Sequence, residues 1–168
     1  MMIRAILAAL AMTFVAASAK AADKEPCAPN MVCASAPQSV INALQKIGYK
    51  AVLTKSDTTG NPMIESEANG QGFHIFFYEC EDRKSCASLQ FNLAFAGEEA
   101  NTPQLANLWN KKMRFMQMSV DDQKILSVSY DLSTIGGLNG ENFADVAQWW
   151  VRMLRELHTF FDEHPGAP

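Results

Sequence analysis

The stretch Gly72–Ala96, GFHIFFYECEDRKSCASLQFNLAFA, constrains the fold of this chain more than any other. Phe73 to Cys80 and Cys86 to Phe95 are two apolar runs of strand length joined by a short charged turn. In the second run Leu89, Phe91, Leu93 and Phe95 alternate with Ser88, Gln90, Asn92 and Ala94. That period puts one face in a core and the other toward water. The connection is far too short for a parallel crossover, so the two runs form an antiparallel hairpin.

The neighbouring segments extend the same sheet. Tyr49 to Lys55 and Met63 to Ala68 are strand-like and flank the turn Asp57–Pro62, and Asn69-Gly70 is a strong hairpin signal. Arg114 to Val120 and Lys124 to Leu132 are two further strands around Asp121-Asp122-Gln123. Helices are expected at Pro37–Ile47, where Val40, Ile41, Leu44 and Ile47 share a face, and after Thr102-Pro103, with Leu105, Leu108 and Trp109 as its apolar side. The longest helix opens at Glu141 or Asn142 and ends near His164. The expected class is α+β: an antiparallel sheet of five to six strands with three helices on one face, in the order α-ββββ-α-ββ-α.

The first residues carry Arg4, an uncharged run from Ala5 to Ala17 and the small-x-small site Ala17-Ser18-Ala19. This is the pattern of a secretory signal peptide over 1–19, with Ala19-Lys20-Ala21 as a second cleavage site. The run is shorter than the roughly 20 apolar residues of a membrane span. Residues 22–35 read as an irregular N-terminal arm, and 36–164 as one domain. The net charge of −4, or −5 without Arg4, gives no electrostatic footprint for nucleic acid or an anionic membrane. The expected location is periplasmic or secreted, with no membrane span after cleavage.

Cys27 and Cys33, and Cys80 and Cys86, form two pairs with the same spacing of six. An even count in an exported chain points to disulfides. The hairpin favours Cys80–Cys86, and elimination leaves Cys27–Cys33. A four-thiolate zinc site is the competing reading, but its pairs usually stand closer.

No catalytic constellation stands out: G-x-S-x-G, S-x-x-K and H-E-x-x-H are all absent. His74 lies on the strand face of Phe76 and Tyr78, and His158 and His164 point apart around the last helix. Glu65 and Glu67 share one strand face and read as a solvated edge. The loop Ser133–Gly140 lacks the lysine of a phosphate loop and reads as a strand-to-helix connection. No metal or cofactor is expected.

The last helix has an apolar arc wider than one core stripe needs. Phe143, Val146, Ala147, Trp150, Leu154, Leu157 and Phe161 form the stripe, and Trp149, Met153 and Phe160 form a second row beside it. That row is either core in a deeply seated helix or a surface for a protein partner, with a second copy of the chain as one candidate.

From Leu44 to Phe161 the chain resembles the YbjN-domain family of bacterial sensory transduction regulators. The resemblance rests on Ala43-Leu44 and Gly48-Tyr49, on Phe73 to Cys80, and on Cys86 to Phe91. It extends through Trp109-Asn110, Tyr130-Asp131-Leu132 and Gly136-Gly137 to a long aromatic helix. The family's fold is similar to that of type III secretion chaperones, a helix-packed antiparallel sheet that is often dimeric. The resemblance implies interaction or regulation, not catalysis, and export separates this chain from cytosolic chaperones. The resulting expectation is an exported, non-enzymatic interaction or sensory-regulatory domain of the bacterial envelope. A small-ligand module with an apolar pocket between sheet and helices is the alternative.

Overall fold

A computed structural model describes residues 26–165. The expected signal peptide lies outside the described residues, as does the start of the arm. Six strands form one antiparallel sheet: β2 (Lys50–Lys55), β3 (Pro62–Ala68), β4 (Gln71–Tyr78), β5 (Ser88–Phe95), β6 (Gln117–Val120) and β7 (Leu126–Ser133). Their spatial order is β2-β3-β4-β5-β7-β6. The helices are α1 (Pro37–Lys46), α2 (Pro103–Lys112) and α3 (Gly140–Glu163). The α+β class and the element order of the sequence reading are both present.

Strand parity builds the core. Ile64, Ile75, Phe91 and Tyr130 stand in one cross-strand row. Phe77, Leu89 and Leu132 make the next row on the same face. Phe73, Ile75, Phe77, Leu89 and Phe91 are all buried. The helix α3 closes over them: Trp150 lies 5.6 Å from Phe73 and 5.7 Å from Phe91, and Phe143 lies 6.4 Å from Phe91. Each such ring contributes roughly 1.5–3 kcal/mol through removal from water. On the opposite face His74 and Tyr78 are exposed and Phe76 is half-buried, as their parity requires.

Two small strands depart from the sequence reading. Met31–Val32 (β1) pairs antiparallel with Leu138–Asn139 (β8), so the arm is not wholly irregular and the glycine-rich loop is not merely a connection. Gly137 enables the contact: it sits at φ 81°, and a Cβ there would come within 2.8 Å of Met31 Cβ. Two-residue strands carry no periodicity and leave no pattern in the sequence. The strand expected from Arg114 begins only at Gln117, because Phe115 has φ 67° and cannot join a ladder. Leu108, assigned to the apolar side of α2, is 52% exposed.

Candidate interaction surface

The link between α2 and β6 is short and pinned from both sides. Thr102 caps α2 by accepting the Leu105 N–H at 3.2 Å. Two side chains then reach forward from the last turns of α2. Trp109 Nε1 donates to the Met116 carbonyl at 3.1 Å. Asn110 takes both backbone groups of Met118, accepting its N–H at 2.8 Å and donating to its carbonyl at 3.0 Å. The chain between must reverse within a few residues. It does so in a three-residue turn in which the Met116 N–H donates to the Arg114 carbonyl at 2.8 Å. Phe115 is the central residue, in the rare strained hand of that turn.

The consequence is an aromatic ring held outward. Phe115 is 44% exposed although it touches two other rings. It stacks on Tyr130 at 5.7 Å and meets Trp149 edge-on at 5.5 Å. Arg114 lies over Phe115 at 4.8 Å, and Arg152 lies over Trp149 at 5.2 Å. A groove of about 340 Å³ continues along α3 from Trp149, lined by Tyr49, Asp145, Gln148, Val151, Arg152 and Arg155. Burial, then the Asp145 charge, raises the Tyr130 phenol above the usual 10.0.

The expected partner row is only partly at this surface. Met153 and Phe160 are buried, at 1% and 2% exposure, and are corrected here to core positions. For Phe160 the cover is α2: Trp109 meets its ring edge-on at 5.2 Å. Trp149 alone of the three reaches the surface, half-buried. Sequence reasoning missed Phe115, Arg114, Tyr130 and Arg152. The usable signal was the spacing of Trp149 and Arg152, three apart on one helix face.

The other sequence candidates lie elsewhere. Disulfides join Cys27 to Cys33 and Cys80 to Cys86. The two bridges flank one small cavity, with Thr134 between them. Thr134 Oγ1 donates to the Ala87 carbonyl at 3.0 Å and accepts the Ala34 N–H at 2.8 Å, tying the arm to the hairpin. Glu65 stands opposite His74 on the outer sheet face. Among the described residues no group of three His, Cys, Asp or Glu side chains could hold a metal ion. No helix among them is long and apolar enough to cross a membrane. The layer between sheet and helices is filled by Phe73, Phe91, Phe143 and Trp150, where a ligand pocket was the alternative expectation.

The protein is an α+β domain in which a helix-covered antiparallel sheet carries an exposed aromatic ring at the α2–β6 link. The family model for YbjN, described as "Putative bacterial sensory transduction regulator", matches residues 36–163, and the chain belongs to that family. No curated protein matches it. Among solved structures it is similar to the chain titled "Crystal structure of YbjN, a putative transcription regulator from E. coli". The two share 16% identity and a TM-score of 0.50, over 74% of this chain and 87% of the other. At that identity the likeness concerns the fold alone.

Proposed function

We propose that this chain is an exported, non-enzymatic regulatory domain that acts by docking a protein partner on the Phe115–Trp149 surface. The observation that carries the reading is Phe115 itself. Its backbone costs roughly 1–3 kcal/mol, and a folded chain retains such strain where a surrounding structure over-determines it, most often at working sites. Here the strain keeps an aromatic ring outside the core, beside a half-buried Trp and two stacked Arg, the residue types that dominate binding hot spots. The signal peptide pattern and the two bridges support export to an oxidising compartment.

The test is site-specific photo-crosslinking in the producing cell, with the crosslinker at Phe115 or, as control, at Phe76 on the outer sheet face. A discrete adduct from Phe115 and none from Phe76 is the expected result; its mass separates another protein from a second copy. Equal adducts from both positions, or none from Phe115, would overturn the docking site. Fractionation settles export: the expected product is periplasmic or secreted and begins at Lys20 or Ala22.

A further inference from the structure

We infer that the partner presents a short acidic segment, with an apolar side chain seated on Trp149 and carboxylates on Arg114, Arg152 and Arg155. This rests on the docking reading above and names the chemistry of its occupant. Charge is the first argument. The described residues contain four arginines, and all but Arg83 lie at this surface, in a chain of net charge −4. None of these three forms an ion pair among the described residues. No carboxylate is in direct contact with their guanidinium groups among the described residues, although Asp145 lines the same groove.

Preorganisation is the second. A guanidinium held over a ring face still has N–H groups to offer, and these match a carboxylate in a two-point contact. Arg114 over Phe115 and Arg152 over Trp149 are both held in that way. The strained turn thus fixes one ring and, through it, one cation.

Shape is the third. The groove follows α3 from Asp145 to Arg155, a rise of roughly 15 Å, which accommodates four or five extended residues. It is open along its length, so it suits a peptide better than a small enclosed anion. Its charge is also directional. Asp145 stands at one end and Arg152 and Arg155 at the other, with Arg114 outside the groove over Phe115, so the carboxylates seated within the groove lie toward Arg155.

The experiment is selection of a random twelve-residue phage library on the disulfide-intact protein, followed by affinity measurement of the selected peptides. Enriched sequences should be acidic and carry an apolar or aromatic residue. Replacing their Asp and Glu by Asn and Gln should weaken binding roughly ten-fold, and Arg152→Glu with Arg155→Glu should do the same. Peptides that are not acidic, yet are lost with Phe115→Ala, overturn the charge assignment and leave the docking surface standing. Peptides indifferent to both Phe115→Ala and the double reversal overturn both. Absence of enrichment overturns the inference, as does Arg-dependent binding to phosphatidylglycerol vesicles without any selected peptide, which would assign the surface to a lipid.

Discussion

Phe115 meets Trp149 edge-on, ring centres 5.5 Å apart and planes at 66°, from a backbone held at φ 67°. The contact joins the α2–β6 link to α3, and Trp109 and Asn110 pin the chain on the far side of the turn.

Glycine should therefore be unusually well tolerated at Phe115. Elsewhere in a strand-side link, Ala is favoured over Gly for entropic reasons. At φ 67° the Cβ penalty reverses the order, so Phe115→Gly should be as stable as Phe115→Ala or better, by up to about 1 kcal/mol. Urea melts of the two variants measure it. A clear advantage for Ala would mean that the turn relaxes once the ring is gone.

Truncation should separate the core members of the α3 row from its surface member. Met153→Ala is expected to cost about 2–5 kcal/mol and Phe160→Ala about 3–5 kcal/mol, as large-to-small changes in a filled core. Trp149→Ala should cost less than Phe160→Ala, since its ring is only half-buried and packs on exposed Phe115. Denaturation midpoints at unchanged slope decide this.

That row also shows where sequence reasoning stops. A helical wheel reports which side chains are apolar, not which neighbour lies beside the helix. The strands were legible because period-two alternation at Phe73–Phe77 and Leu89–Phe95 encodes a face directly. The flank of α3 depends on α2, which is distant in sequence and meets Phe160 through Trp109. Phe115 was illegible for a related reason. Its backbone conformation is set by hydrogen bonds from Trp109 and Asn110 and not by its own propensity. The cysteine pairs were legible because each closes a local loop.

Thr134 should be far less replaceable than a surface threonine. Thr134→Val keeps the shape but leaves the Ala34 N–H without its acceptor, in a buried setting. The expected cost is about 1–3 kcal/mol. Thr134→Ser should restore most of it. The loss should be accompanied by faster proteolysis within 26–36, where the arm is held; unchanged cleavage there would show that β1 pairing alone secures it.

Each disulfide should contribute to stability through the loop it closes. Replacing either pair by serines is expected to cost roughly 2 kcal/mol on the chain-entropy estimate, because both loops have the same separation of six. Intact mass before and after reduction should differ by four hydrogens. Four free thiols in the protein isolated from the producing cell without reductant would remove the support for an oxidising compartment.

Alkaline titration should report Tyr130 as part of the surface. Burial, and secondarily the Asp145 carboxylate, disfavour its phenolate, so the folded state keeps the proton to a higher pH than the unfolded chain. The raised folded value means that this contribution to stability is complete below about pH 10 and is lost as pH climbs through the folded pKa. Tyr78 acts in the same direction, through burial and then Asp131. In a chain carrying Tyr49→Phe and Tyr78→Phe, tyrosinate absorbance should show a midpoint above 10.0. Asp145→Asn should move it down only part of the way, since burial is the larger cause. Tyr130→Phe should flatten the alkaline loss of stability. A midpoint unmoved by Asp145→Asn would mean that the carboxylate faces solvent and not the ring, and would remove Asp145 from the end of the groove that orients the acidic segment.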